Sequence, residues 1–402
     1  MAPLDERRSC SRRAALRAGA IAVGGVLSGC LSASPKASKS TVTDVQRAEG
    51  VSVRWQASLD RRIPVPTADT ESVYAVSSES GIHAFRTTDG TRQWHHSVPK
   101  SAWFGPRVGS GLVVVVDFET LIAFDAETGS EQWRHTWPPE GTMSSMPVIG
   151  EGTLYVGNSS LPTSHTESRY PEDLFAFDLA DGTLRWKRDL AEQDSLTGPP
   201  LLHDGTLYVQ TERSGLFALD PADGGERWQT SPGETRDRAI GGPTLVDQTD
   251  TLVASVGQSV YGLGLDDGRE QWRVDGVQTA PVSDGTTVYV AGPLEDGATT
   301  VVALAASDGS EHWAVTRPGH LTRWGSLSAA GGTLFASFRE PTGKGDVVDD
   351  ISTLYGFSTS GEERWQFTRS CEGFSEVAVA SDTVFVGSRY GDGVLYALDP
   401  AE

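Results

Sequence analysis

Asparagine is all but missing from this sequence. Asn158 is the only one, and only five of the 33 basic residues are lysine. Acidic residues outnumber basic ones 54 to 33, for a formal net charge of −21. Such a surface suits concentrated salt, where counter-ions screen self-repulsion and carboxylates hold water. The composition points to a halophile, and an archaeal owner is the expectation. No basic stripe is present to neutralise phosphates, which argues against a nucleic-acid partner. Cysteine is scarce too: Cys10, Cys30 and Cys371 are the whole set. Two lie near the N-terminus, so the body of the chain has no intramolecular disulfide framework. Cys371 is expected to be a buried, inert thiol. Long apolar runs are also lacking, and the Ala/Gly/Val-rich segment before Cys30 is too short and weakly apolar to span a membrane well.

That segment carries an address. In "SRRAALRAGAIAVGGVLSGC" (Ser11 to Cys30), Arg12 and Arg13 precede the apolar stretch, and the order Ser-Arg-Arg-x-x-Leu resembles the twin-arginine export signal. "LSGC", Leu27 to Cys30, resembles a lipobox, in which the cysteine becomes a lipidated N-terminus. Residues 1–29 therefore read as a twin-arginine lipoprotein signal peptide. Residues 30–50 are small and polar, cannot bury enough surface to fold, and read as a flexible tether from lipidated Cys30. A diacyl-type anchor would hold the chain stably on the outer face of the cytoplasmic membrane.

Glycine is plentiful, with 45 residues, and much of it recurs in one pattern. "LIAFDAETGSEQW" ends at Trp133, and "IHAFRTTDGTRQW", "LFAFDLADGTLRW" and "LFALDPADGGERW" end at Trp94, Trp186 and Trp228. "VYGLGLDDGREQW", "VVALAASDGSEHW" and the shorter "LYGFSTSGEERW" end at Trp272, Trp313 and Trp365. An eighth copy, "LYALDPAE", reaches the C-terminus before any tryptophan, while "VSVRWQASL" holds Trp55 with no repeat body before it. The first strand thus completes the last repeat. Upstream of each body, apolar runs broken by Asp-Gly read as short antiparallel strands joined by tight turns. Four strands in each of eight units predict an all-β, eight-bladed β-propeller over residues 51–402, closed by its N-terminal strand.

The pattern Ala-x-Asp-x-x-Thr-Gly-x-x-x-Trp, best met by Ala123, Asp125, Thr128, Gly129 and Trp133, resembles the tryptophan-docking motif of pyrroloquinoline-quinone (PQQ)-type propeller repeats. Its parts have physical roles. The aspartate ending the third strand accepts turn N–H groups. The glycine adopts positive φ without steric cost. The tryptophan packs on the next blade. In the fifth to seventh repeats Gly264, Ala305 and Ser358 replace the aspartate, so glycine and ladder bonds are expected to hold those turns.

The same resemblance implies two functions. Quinone-dependent dehydrogenases of this type bind quinone and calcium, using Asn, Glu and Asp side chains and an adjacent cysteine pair. This chain has one asparagine, no cysteine pair in the propeller and no haem-attachment motif. The resemblance is nearer to compact platform propellers such as the lipoprotein subunit of the bacterial outer-membrane assembly machinery. The expectation is a monomeric, non-catalytic binding protein without metal or cofactor, with membrane or cell-surface proteins as partners; a channel-binding redox enzyme is the alternative. His95 and His96 could pair as ligands but read as surface, and "DVVDD", Asp346 to Asp350, reads as a solvated loop.

Topology suggests which face is used. In a four-stranded blade (A to D from the inside) the D–A and B–C connections share one face, and the A–B and C–D turns share the other. The repeat is stretched twice, at 158–173 and 339–350, both between B and C. Large apolar and cationic residues fall in the connections of the same face: Trp103, Phe104, Trp137, Met143, Met146, Arg236, Arg238, His320, Arg323, Trp324 and Phe374. This face is expected either to bind a partner or to plug the channel. Asn158 in "NSS" is a glycosylation candidate in a loop there.

Overall fold

The computed structural model describes residues 46–98, 104–117, 120–136, 141–143, 145–160, 172–190, 195–213, 215–233, 238–293, 298–321, 327–341, 350–388 and 393–401. All belong to one compact unit, Asp44–Glu402. Its strands form eight antiparallel sheets, and among the described residues the only helix is a single turn at Asp247–Thr249. Blade 2 shows the plan: Arg107–Gly109, Leu112–Val116, Thr120–Asp125 and Glu131–Thr136 are its strands A to D. Each innermost strand is short, and each B strand is almost wholly buried. The cores lie between blades. Tyr74, Val76, Ile82, Ala84 and Trp94 of blade 1, for example, pack on Val113, Val115, Ile122 and Phe124 of blade 2.

The ring closes as the repeat count requires. We label the first two strands β1 (Gln46–Glu49) and β2 (Val51–Ser58). β2 pairs with Val394–Pro400 as strand D of blade 8, with Trp55 opposite Ala397. At the seam the Ala401 N–H donates to the Gly50 carbonyl at 2.8 Å.

One geometry repeats in all eight blades. The docking tryptophan pairs with a small residue of strand C: Trp94 with Ala84, Trp133 with Ala123, Trp272 with Gly262, Trp365 with Gly356. A bulge immediately before the tryptophan twists strand D. The indole then reaches the next blade. Its N–H donates to Leu179 O from Trp133 (2.8 Å), to Ala126 O from Trp94 (2.9 Å) and to Ala306 O from Trp272 (2.6 Å). Trp55, Trp186, Trp228 and Trp313 do the same to Thr87, Pro221, Leu265 and Thr359. The ring lies flat on the turn glycine of that blade. At Gly182 (φ 72°) an added Cβ would sit 2.6 Å from the Trp133 ring. Glycine is thus required twice, for its φ and for the approach. Trp365 faces the seam, where the turn is split between the chain ends, and is buried among Val51, Phe335 and Leu398.

The turns are held as expected where strand C ends in aspartate. Asp125 Oδ1 accepts the Thr128 N–H (2.8 Å) and hydroxyl (2.7 Å), and these bonds hold its pKa below the ordinary value. In blade 7 Ser358, which replaces that aspartate, accepts the Glu362 N–H through Oγ at 3.0 Å; in blades 5 and 6 the residue just before the turn glycine is the acceptor. Asp267 and Asp308 each accept the N–H two residues on. So do Asp89 in blade 1, where Arg86 ends strand C, and Asp181 and Asp223.

Two expectations need correction. Gln46–Glu49, inside the expected tether of residues 30–50, is a strand. β1 lies along the outer strand of blade 7, Gln46 opposite Arg369 and Glu49 opposite Gln366. A polar segment can do this because an outer edge offers ladder groups that need no apolar burial. Asn158 lies on strand B of blade 3 (Thr153–Ser160), between Met143 and Asp173, and not in a loop. The stretched B–C hairpin is tall enough to take part of the D–A connection as an added strand.

Candidate functional site

The face carrying the D–A and B–C connections, the loop face, is where the repeat departs from itself. Blades 3, 6 and 7 have the longest B–C ladders, and among the described residues blades 3 and 7 alone add an inner strand. In blade 3, strand B pairs inward with both Gly141–Met143 and Val148–Gly150. In blade 7, strand B (Thr333–Pro341) pairs with both His320–Leu321 and Leu327–Ala330. The same answer, a D–A connection recruited as a short strand, thus occurs in two tall blades.

Below the hairpins the D–A connections are pinned to the inner strands. Ser145, Thr279 and Ser375 hydroxyls accept the N–H groups of Gly157 (2.9 Å), Ala291 (2.9 Å) and Gly387 (3.0 Å) in strand B of their blades. Thr67 and Thr197 donate to the carbonyls of Pro106 and Gly241 in the next connection, each at 2.6 Å. An added Cβ at Gly105 would lie 2.0 Å from Val65 O. The inner rim is therefore a tight hydrogen-bonded collar.

Arg107 stands on that collar as the first residue of strand A. Its guanidinium donates to Pro147 O (3.1 Å) and Pro106 O (3.4 Å) and reaches the Met146 sulfur. Surrounding protein lowers its pKa from the ordinary value, and the charge of Glu376 opposes that shift. Corresponding positions after the strand-opening proline hold Thr67, Val148, Leu201, Thr244 and Val282. Aligning the repeats at this position, rather than at the tryptophan, would have exposed the arginine.

The eleven residues expected on this face separate sharply. Trp103, Trp137, Arg236, Arg323 and Trp324 lie outside the described residues, and Met143 is placed by its backbone alone, on the added strand of blade 3. Phe104 packs against the core between blades 2 and 3, and Met146 meets Arg107. Arg238 is exposed and pairs with Glu212 at 2.7 Å. His320 is exposed on the added strand of blade 7. Phe374 is fully buried against Phe367, with its N–H bonded to Ser337 Oγ, and cannot meet a partner. A loop aromatic beside a tall blade fills the space beneath it. Cys30 and residues 346–349 of the acidic loop also lie outside the described residues. Cys371 is buried.

His95 and His96 do not converge as a ligand pair. His95 and His96, adjacent on a strand, point to opposite faces: His95 meets His83 (ring centroids 4.5 Å) and His96 stacks on Phe124 of blade 2 (5.3 Å). His83 is buried, and its Nε2 lies 2.9 Å from Ser80 Oγ. Such a pair invites a nucleophile reading, but the geometry is wrong for it. His83 Nδ1 has no orienting carboxylate, and burial with the neighbouring His95 and Arg92 lowers its pKa to about 3. An imidazole that weakly basic does not activate a hydroxyl near neutrality. Among the described residues no cluster of three or more His, Cys, Asp or Glu is placed to hold a metal ion.

His83 has a stability consequence. It stays neutral in the folded chain and ionises near the ordinary 6.5 when unfolded, so its contribution is full above pH 6.5 and is lost as pH falls. Between pH 6 and 4.5 it is expected to steepen acid destabilisation by up to about 1.4 kcal/mol per pH unit. His135, also lowered by burial, acts in the same direction. Other repeats carry Phe175, Phe217, Tyr261 or Tyr355 at this position. His83→Phe should therefore flatten the slope, measured by urea unfolding across that pH range. Equal slopes for parent and variant would refute the assignment.

Comparison with known proteins gives the following. The family model described as outer membrane protein assembly factor BamB matches residues 38–195, 171–283 and 257–402. BamB of Xanthomonas campestris pv. campestris is 28% identical over 261 residues, 52% of this chain and 62% of that protein. The chain thus spans less than two thirds of that relative's length. The crystal structure of BamB from Moraxella catarrhalis superposes with a TM-score of 0.64 at 18% identity, covering 87% of this chain and 97% of that one. Quinohemoprotein alcohol dehydrogenase ADHIIG from Pseudomonas putida superposes with a TM-score of 0.66 at 13% identity, covering 88% and 76%. At these identities both structural likenesses show the fold alone.

Proposed function

Because the chain belongs to the outer membrane protein assembly factor BamB family, matched in three overlapping stretches from residue 38 to residue 402, we propose that it is a binding platform with no chemistry of its own. It is exported in folded form through the twin-arginine route and anchored through Cys30. It stands on the outer face of the cytoplasmic membrane of a halophilic cell. Its partners are membrane or cell-surface proteins, met as a monomer on the loop face. The observation that carries this reading is the asymmetry of the two faces. Seven C–D turns repeat one staple, whereas the loop face carries both added strands, Gly141–Met143 and His320–Leu321, and the exposed Arg238 and His320.

The test is a pair of variants in intact cells. Replacing Trp103, Arg323 and Trp324 together by alanine should abolish crosslinking to partner proteins, read by mass spectrometry, while urea unfolding shifts by less than about 1 kcal/mol. Replacing Thr128 and Ser130 on a C–D turn should leave crosslinking intact. Unchanged partners with a large stability loss in the first variant would make those side chains a plug and overturn the reading. So would bound-quinone absorbance and dye-linked dehydrogenase activity after incubation with PQQ and calcium.

A further inference from the structure

β1 is the element that no repeat accounts for. All four of its side chains are exposed, so ladder bonds and not burial hold it in place. Among the described residues no other blade carries a strand outside its own strand D.

Its direction has a consequence. Strand D of blade 7, Glu363–Ser370, starts at the turn face opposite Phe357 and ends at the loop face opposite Ile351. β1 is antiparallel to it, with Gln46 beside Arg369 and Glu49 beside Gln366. The chain therefore enters the propeller at the loop-face end and runs toward the turn face. It reverses at Gly50, where φ is 66° and an added Cβ would lie 2.6 Å from Arg364 O. It then climbs as β2, from Val51 opposite Pro400 to Ser58 opposite Val394. Were β1 absent, the chain would join the propeller at Val51, at the turn face.

We propose that β1 is an orienting clasp that makes the N-terminal segment depart from the loop face. The two points of departure are five residues apart along the strand, roughly 16 Å at about 3.3 Å per residue. Cys30 stands sixteen residues before Gln46, and that stretch spans at most about 55 Å. The direction of departure stands on the strand register alone. Its meaning for a membrane rests on the lipid-anchor reading above. With Cys30 anchored, the clasp turns the two tall hairpins toward the bilayer. The partner that fits is the exposed part of a membrane-embedded protein, because the chain's charge of −21 is repelled by an anionic lipid surface.

Energy transfer tests the clasp without any lipid. The full chain, with Cys10→Ser and Cys371→Ser, carries one dye at Cys30. The second dye is placed at Glu372→Cys or Glu362→Cys, exposed positions beyond the loop-face and turn-face ends of the strand that β1 pairs with. Transfer is expected to be higher to position 372 than to position 362. Arg47→Pro with Ala48→Pro removes at least one ladder donor, since adjacent strand residues direct their N–H groups to opposite sides. In that variant the order should reverse. A second variant, Gln46→Gly, Arg47→Ser, Ala48→Gly and Glu49→Ser, should at least reduce the difference. Because β1 buries no side chain, both should keep the parent's denaturant midpoint closely. Higher or equal transfer to position 362 in the parent, or an unchanged order in the proline variant, would overturn the clasp. Acylation of Cys30 is read separately by mass spectrometry of membrane-derived protein. An unmodified Cys30 would remove the anchor and leave the orientation result standing.

Discussion

Trp133→Ala is expected to lower the free energy of unfolding by about 3–5 kcal/mol. The side chain is buried, with 8% of its surface exposed. Burying a tryptophan removes roughly 150–250 Å² from water. At about 25 cal/mol/Å² that is roughly 4–6 kcal/mol before the entropy of ordering the side chain. Truncation also leaves the Leu179 carbonyl without its indole donor and opens a gap over Gly182. The cost should follow burial from blade to blade. Trp313, which is less buried, should lose less on the same change. Urea unfolding of both variants measures this. A shift under 1 kcal/mol for Trp133→Ala would exclude docking as a main source of stability, and a larger shift for Trp313→Ala would exclude the ranking.

Deleting residues 394–402 should have the larger effect and abolish the cooperative native state. The lost strand carries Val394, Leu395, Tyr396, Ala397 and Leu398, all buried. Among the described residues it is also the only pairing partner of β2, and it is the outer neighbour of Thr383–Gly387. Truncating one buried leucine costs about 2–5 kcal/mol, and a whole domain is stable by only about 5–15 kcal/mol. Two leucines, a tyrosine and a strand's worth of ladder bonds therefore exceed what the ring can lose. Limited proteolysis and denaturant titration report the outcome. A truncated chain that still unfolds in one transition with the parent's m-value would show that closure is dispensable.

The fold was legible because its signal is local and repeated. Each copy of the docking pattern carries its own turn, glycine and tryptophan within thirteen residues, and Trp55 followed from a count that came up one short. Elements without such a pattern were not legible. β1 has no apolar alternation, and the backbone groups that hold it are present in any four residues. The lengths of the tall hairpins showed in the spacing. Recruitment of Gly141–Met143 and His320–Leu321 as strands did not, because neither segment alternates. Phe374 is not legible as core, because an aromatic in a connection suggests exposure, while it packs among residues scattered along the chain, from Phe335 and Phe367 to Val386 and Tyr396. His83 and Arg107 emerge only when repeats are compared position by position, since each sits where its counterparts are apolar or small.

The seam between β2 and Val394–Pro400 also has a meaning in time. β2 is the first strand of the ring to leave the ribosome, and its partner is the last. Each tryptophan docks on the blade that is synthesised next, so blades 1 to 7 can assemble in order while β2 waits unpaired. At about 5–20 residues per second the wait is roughly 17–70 s. Bringing together ends about 340 residues apart would cost a flexible chain about 5 kcal/mol of loop-closure entropy, most of which the assembly of blades 1 to 7 has met before the last blade forms. Until its final nine residues are made, this chain is an open arc with two unpaired edges, and only a route that accepts finished proteins could carry it as a ring.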